Sequence, residues 1–416
     1  QPSQAQRVVL PCDISGTFAS FVDTDVFEFE AKKGDVWWVE VASERLGFNT
    51  DPAVLIQRVV REGEKESLTE VVELDDIAAP MKMGTYLPAA SYTGPAYQVG
   101  SPDVLGKFEV KEDGLYRLRL RNQTRDTGSR SGSPYRLVVR KPQPDFALVA
   151  WSAHQRLRQN DFGTIPKPLA LRAGTTMALE VVTVRRDGFE GEIQLEVEGL
   201  PSGVTATGLT IPAGKVQGML FISAAETAVP SFSVAKMHGR ALVNGAQTTR
   251  PCRLASVLWP VDYAPNELPK SRLVADVPVS VTDFEKAPVS IAPEGSVDWQ
   301  VKSGETLKIP LRVAWRSEFN GASLKLKPYG SVFAGIKELD LPIKAASSEV
   351  VLDTAALKVA PGNYTLAFSA IGVVKYRPNL DSLNAAEEAQ KKAVEEASSL
   401  AALAKVQVEK VAAAPA

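Results

Sequence analysis

The first long pattern in the chain begins at Asp23. In DTDVFEFEAKKGDVWWVEV, Phe27 and Phe29 alternate with Glu28 and Glu30, and Trp37, Val39 and Val41 alternate with Trp38 and Glu40. Alternation with period two marks a strand buried on one face. The two runs flank KKGD, so the spacing predicts a β-hairpin, with Asp25 at its start accepting backbone N–H bonds. Phe27, Phe29, Trp37 and Val39 are the expected core. AVLIQRVV, GKFEV, LYRLRLRN and YRLVVR read the same way. In LYRLRLRN, Tyr116, Leu118 and Leu120 share one parity, which leaves Leu115, Arg117, Arg119 and Arg121 on a basic outer face.

Two proline-rich stretches punctuate the strands. VRKPQPDFAL places a boundary near Pro142, and WPVDYAPNELPKSRL begins a second at Trp259. Between and beyond them lies an internal repeat. RAGTTMALEVVTVRRDGFEGEIQLEV starts at Arg172 and KSGETLKIPLRVAWRSEFNGASLKLK at Lys302. Without a gap, Gly174 aligns with Gly304, Thr176 with Thr306, Arg186 with Arg316, Phe189 with Phe319 and Gly191 with Gly321. Each copy reads turn, strand, charged turn, Phe-x-Gly, strand, and the spacing between copies is that of one small β-sandwich plus linker, which predicts two Ig-like sandwiches in tandem. SFSVAKMHGRALV and GNYTLAFSAIGVV match in kind as terminal strands.

Past Pro378 the pattern changes period. LNAAEEAQKKAVEEASSLAALAKVQVEKVAAAPA has no Gly, and Val394, Ala397, Ala401, Ala404, Val408 and Val411 fall at three-four spacing. This predicts a helix of ~30 residues, ~45 Å long. Its thin, mostly alanine seam suits a solvated tail, a helix docked on the body or a weak coiled coil. The expected architecture is all-β: three tandem antiparallel β-sandwich domains over residues 1–142, 143–262 and 263–378, the last beginning with a linker, then an Ala/Glu/Lys-rich helix over 379–416.

Composition narrows the function classes. A formal net charge of −2 over 416 residues argues against a nucleic-acid partner. No run approaches the ~18 apolar residues of a transmembrane span. The chain opens QPSQAQ, without Met or a secretory signal, as a processed chain or an excised segment does. Cys12 and Cys252 are too few for a disulfide framework or a zinc site; one long-range disulfide between them and two separate thiols both remain open. His154 and His238 stand alone, with no nucleophile elbow nearby.

Candidate chemistry is sparse. Asp23-Thr24-Asp25 lacks the small third residue of an aspartic-protease loop, and no second such loop exists. Asp23 and Asp25 are candidate calcium ligands, with further oxygens from Asp75, Asp76 or Asp103. No other cofactor is expected. Of Trp37 and Trp38, one is expected in the core and the other over a sheet edge or as a sugar-stacking platform, so Trp38 is a candidate binding residue. PMKMGTYLPAASYTGPAYQVGSPD carries Tyr86, Tyr92 and Tyr97 among Gly, Pro and Ala. Such a loop reads either as a binding surface or as an insertion packed on its own domain.

The first region resembles the bacterial pre-peptidase C-terminal domain, a jelly-roll-like β-sandwich appended to secreted hydrolases and surface proteins. Gly16 followed by DTDVFEFEAKKGD, then EDGLYRLRL and SPYRLVVR, fits that family's pattern from about Val8 to Arg140. The whole chain resembles the C-terminal part of large secreted bacterial proteins, where this domain precedes PDFAL, tandem Ig-like modules with RRDGFEGEI and GLPSGV, and an Ala/Glu/Lys-rich tail. Further β-domains usually come before that point. The tyrosine loop, Cys12 and Cys252 depart from the family pattern. The resemblance implies an extracytoplasmic, non-catalytic protein: secreted, periplasmic or on the cell surface. It would serve as a structural or adhesive module through protein or glycan contacts, with self-association through edge strands or the helix. The alternative is an accessory region of a larger secreted hydrolase or redox protein whose catalytic part lies upstream.

Overall fold

The computed structural model describes residues 5–19, 23–79, 86–87, 91–92, 97, 99–124, 132–152, 169–257, 271–296, 298–329, 336–358, 361–375 and 380–412. The fold is all-β, three sandwich-like units in series followed by one long helix.

The first unit holds β1 (Gln6–Arg7), β2 (Cys12–Phe18), β3 (Thr24–Ala31), β4 (Val36–Ala42), β5 (Pro52–Glu62), β6 (Lys65–Leu74), β7 (Asp76–Ile77), β8 (Tyr86–Leu87), β9 (Ser91–Tyr92), β10 (Ser101–Glu109), β11 (Gly114–Asn122) and β12 (Ser133–Arg140). Two five-stranded sheets, β1-β3-β11-β5-β6 and β2-β12-β4-β10-β7, enclose the core. Phe27, Phe29, Trp37 and Val39 are buried in it, as their parity predicts, together with Tyr116, Leu118 and Leu120.

The expected hairpin is absent. β3 and β4 lie in opposite sheets, so KKGD is an arch across the sandwich rather than a turn within one sheet. Period two fixes which face of each strand is apolar, and an arch buries both faces as well as a hairpin does. Gly34, at φ +90, lets the arch turn, and its N–H donates to Val110 O. The basic outer face is also only partly as expected. Arg119 and Arg121 are exposed, but Arg117 is 2% exposed and held among carboxylates.

The second unit holds β13 (Asp145–Ser152), β14 (Leu169–Ala173), β15 (Thr176–Arg186), β16 (Ile193–Glu198), β17 (Val204–Thr207), β18 (Thr210–Ile211), β19 (Gln217–Ala224), β20 (Ser231–Val243), β21 (Ala246–Val257), β22 (Ser271–Val274) and β23 (Asp276–Lys286). Their hydrogen bonds join them in one folded-over sheet around Phe146, Leu148, Leu179, Ile193, Leu220 and Met237. β22 and β23 come from the stretch read as linker. β23 pairs β14 and β20, burying Val277, Val279 and Val281, an alternating run that fits this core.

The third unit holds β24 (Val289–Pro293), β25 (Thr306–Trp315), β26 (Glu318–Phe319), β27 (Ser323–Tyr329), β28 (Leu339–Pro342), β29 (Ser347–Asp353), the one-turn α1 (Thr354–Leu357), β30 (Ala367–Ser369) and β31 (Val374–Lys375). The repeat is a true structural repeat. β15 starts at Thr176 and β25 at Thr306, and Gly174 and Gly304 precede them at φ +83 and +90. Phe189 stacks on Phe146, and Phe319 meets Trp315 edge-on. The helix α2 (Leu380–Ala412) runs 33 residues, with Val394, Leu400, Leu403 and Val408 exposed.

Candidate functional site

The residues singled out in the sequence do not converge. Asp25 sits on β3 and accepts the Tyr135 hydroxyl at 2.6 Å instead of a backbone N–H. Asp23 takes the backbone role, accepting Ala19 N–H at 2.9 Å. Asp103 is fully buried, and its carboxylate accepts three successive N–H groups, of Ser43, Glu44 and Arg45, plus Arg45 Nε at 2.8 Å. It pins the turn after β4, a structural duty that uses its oxygens.

Among the described residues, two groups of three side chains bring possible ligand atoms within 4.8 Å of one another, and neither contains Asp23 or Asp25. Asp51, Asp75 and Asp76 offer oxygens only, the donor type of a hard cation such as calcium. Burial, and then the charges of Asp76 and Asp75, push the Asp51 carboxyl up. Glu196, Glu198 and His238 offer mixed nitrogen and oxygen, with His238 Nε2 at 2.8 Å from Glu196 and Arg240 competing for the same glutamate at 2.7 Å. Only strand register brings these together: Glu196 lies opposite His238 across β16 and β20. The sequence offered Asp75 and Asp76 as calcium oxygens but gave no sign that Asp51 joins them, and none of the group at His238. His154 lies outside the described residues.

Trp37 is the core tryptophan and Trp38 stands half-buried on the outer face of β4. That strand is central, so Trp38 is flanked by Lys107 on β10 and Arg140 on β12 and covers no edge. The backbones of Tyr86 and Tyr92 pair with each other. Tyr97 goes elsewhere: with Val99 it packs on Val149, Trp151, Val182 and Ala255 of the second unit. Tyr97 and Val99, at the end of the tyrosine stretch, therefore reach the neighbouring unit. Cys12 and Cys252 are free thiols in different units. Burial pushes the Cys252 thiol up to about 12 and also raises that of Cys12.

What the side chains build instead are two joints. At the first, Arg140, the last residue of β12, forms a two-pronged ion pair with Asp187, its Nη2 reaching Oδ1 at 3.3 Å. Asp187 also accepts Gln143 N–H at 2.7 Å, and Arg140 approaches Glu40 at 3.6 Å. Asp187 lies in the turn after β15 at φ +52, a conformation that aspartate tolerates better than most residues. Lys141 reaches back to Asp35 at 2.6 Å and covers the Trp37 ring. The Asp187 side chain is wholly buried against Arg140.

At the second joint the aligned turn of the repeat does the same work. Arg316 Nη2 pairs with Glu226 of the second unit at 2.8 Å. Its Nη1 donates to Ala287 O at 3.0 Å and Ser290 Oγ at 2.8 Å. Ser290 in turn donates to Gly174 O at 3.3 Å. In both copies, the charged turn after the first repeat strand meets the unit before it.

No helix among the described residues is long and apolar enough to cross a membrane. No family model matches the chain, and no curated protein does. Among solved structures, the chain is similar to the pre-peptidase C-terminal domain of a collagenase from Bacillus anthracis, at 16% identity over 33% of this chain and 95% of that one, with a TM-score of 0.21. It is also similar to a putative membrane anchored protein from Corynebacterium diphtheriae, at 9% identity over 88% of this chain and 89% of that one, with a TM-score of 0.18.

Proposed function

We propose that this chain is a non-catalytic spacer and binding module of an extracytoplasmic protein: a pre-peptidase C-terminal-like sandwich and two Ig-like sandwiches held in line by ionic joints. The observation that carries this reading is the pair of joints, Arg140 with Asp187 and Arg316 with Glu226, built on the same turn of the repeat. Tandem units with small interfaces normally move against one another. A hydrogen-bonded ion pair at each junction, with Asp187 buried at the first and both partners half-buried at the second, restricts that motion and fixes the direction in which each unit follows the last. An enzyme needs convergent reactive groups, whereas among the described residues the acids, tyrosines and tryptophans singled out in the sequence, the Asp75 and Asp76 pair apart, stand at separate places. A stiff series of β-units presents distant surfaces at defined separation, which suits a structural role at a cell surface or in a matrix.

Small-angle scattering of the full chain tests it. The wild-type chain should give a narrow pair-distance distribution, and Arg140→Ala with Arg316→Ala should broaden it while leaving the strand content by circular dichroism unchanged. Identical curves for wild type and double variant would remove the joints from the account. Protease treatment of intact source cells tests location independently: loss of the chain from undisrupted cells is the expected result.

A further inference from the structure

Among the described residues, the third unit has no counterpart of one central strand of the second, β21. In the second unit, β21 lies between β20 and β13, antiparallel to the first and parallel to the second. Cys252 of β21 stands opposite Met237 and beside Leu148. In the third unit β24 takes the place of β13, with Val289 opposite Trp315 as Phe146 is opposite Arg185. β30 takes the place of β20, with Phe368 opposite Pro328 as Met237 is opposite Val197. No described strand of the third unit lies between β24 and β30. The chain leaves β31 at Lys375 and is already helical at Leu380.

Burial reports the same difference. Phe146, Leu148, Ala235 and Met237 are at most 4% exposed, sealed by Cys252 and Leu254 of β21. Their counterparts Val289, Ile291, Leu366 and Phe368 are only half-buried. Ile371 and Val373, at the same edge, are 84% and 66% exposed. Among the described residues the slot thus has two backbone edges with no paired strand and an apolar floor, the combination that accepts an added strand.

We propose that the third unit binds an extended segment of another polypeptide in this slot, antiparallel to residues 366–374 and parallel to residues 289–293. The segment carries apolar side chains at alternate positions, the register that Cys252 and Leu254 occupy in the complete copy. A second copy of the chain is a poor donor. Among the described residues, the long strands with an alternating apolar face are already paired within their own units, so a donor copy would have to unfold one. The slot lies within the third unit and stands whether or not the joints are stiff.

The test is hydrogen exchange with mass spectrometry on the full chain, with light scattering on the same sample. The probe is a synthetic peptide with the sequence of β21, AQTTRPCRLASV. Without peptide, residues 289–293 and 366–374 should exchange at least about tenfold faster than their counterparts in β13 and β20. With peptide at millimolar concentration, both stretches should gain protection together, and a scrambled peptide should give none. Three results would overturn the proposal. Full protection in a monomer without peptide means that the chain closes its own slot. Full protection in a dimer or larger species means that another copy closes it. No gain with the peptide, or an equal gain with the scrambled one, means that the edges do not take a strand in this register.

Discussion

Tyr135 on β12 donates its hydroxyl to Asp25 on β3, joining the two sheets of the first unit at 2.6 Å. Burial raises the Asp25 carboxyl above its ordinary value, more than the tyrosine's hydrogen bond lowers it. A carboxyl that is easier to protonate in the folded than in the unfolded state contributes stability at low pH and loses it as pH rises through the folded value. Asp25→Asn should therefore gain melting temperature relative to wild type at pH 7, and the gain should shrink towards pH 4. Melting curves across that range check it; a gain independent of pH would rule out the charge as its cause. Tyr135→Phe should cost about 1.5–3 kcal/mol at pH 7, the range for a hydrogen bond to a charged group.

Gly16 makes that contact possible. It pairs directly with Tyr135, and a Cβ at Gly16 would lie 2.3 Å from the tyrosine ring and hydroxyl. Gly16→Ala should destabilise by about 1–3 kcal/mol, the usual cost of overpacking. In a Tyr135→Leu background the same change should cost much less. Denaturant titration of the four proteins gives the coupling, and additive costs would disconnect the two residues.

Glu28 and Arg117 are 3% and 2% exposed on what period two marks as the outer face of the first sheet. Arg117 Nη2 meets Glu28 at 2.6 Å, its Nη1 meets Glu66 at 2.8 Å, and Arg61 closes the group on both glutamates. Removing one partner of a buried pair strands the other, so Arg117→Leu should cost about 3–5 kcal/mol. The Arg117 hydrogen bond holds the Glu66 carboxyl below its ordinary range. Its contribution is present above the unfolded value and lost as pH falls through the folded one. Wild type should lose more stability than the variant between pH 6 and pH 3, and parallel losses would count against the network.

The thiols supply a chemical check. Cys252 is buried with its acidity suppressed, and Cys12 is half-buried. Reaction needs the thiolate and access. Iodoacetamide at pH 8 should leave Cys252 untouched in the native chain and modify both cysteines after unfolding. Native, non-reduced material that resists labelling even in denaturant would instead mean a disulfide.

Much of the architecture was legible in the residues. The parity of Phe27, Phe29, Trp37 and Val39 gave their burial, and the ungapped repeat gave the matching strands β15 and β25. The helix period gave α2 nearly to its ends. What escaped was everything decided by which strand lies beside which. Alternation says that a face is apolar but not in which sheet it lies, so an arch was read as a hairpin. Arg117 looked solvated because its two partners, Glu28 and Glu66, lie on other strands. His238 and Glu196 are 42 residues apart and meet only through register. Tyr97 read as a binding residue or as part of an insertion packed on its own domain, because nothing local reveals the surface of the next unit. The joints hide for the same reason: Asp187 and Arg316 sit in turns that look ordinary until the preceding unit is in place.

The arch between β3 and β4 also shapes how the chain comes to be folded. β3 finds no neighbour in the strand that follows it; apart from the two-residue β1, its partner is β11, and Lys33 N–H waits for Asp113, 80 residues on. At a synthesis rate of about 5–20 residues per second, that partner emerges on the order of 4–16 s later. During this interval Phe27, Phe29 and the neighbouring tryptophans have no sheet to join. The first sandwich thus folds late and as a whole, and a nascent chain of this protein spends seconds in need of protection from its own aromatic strands.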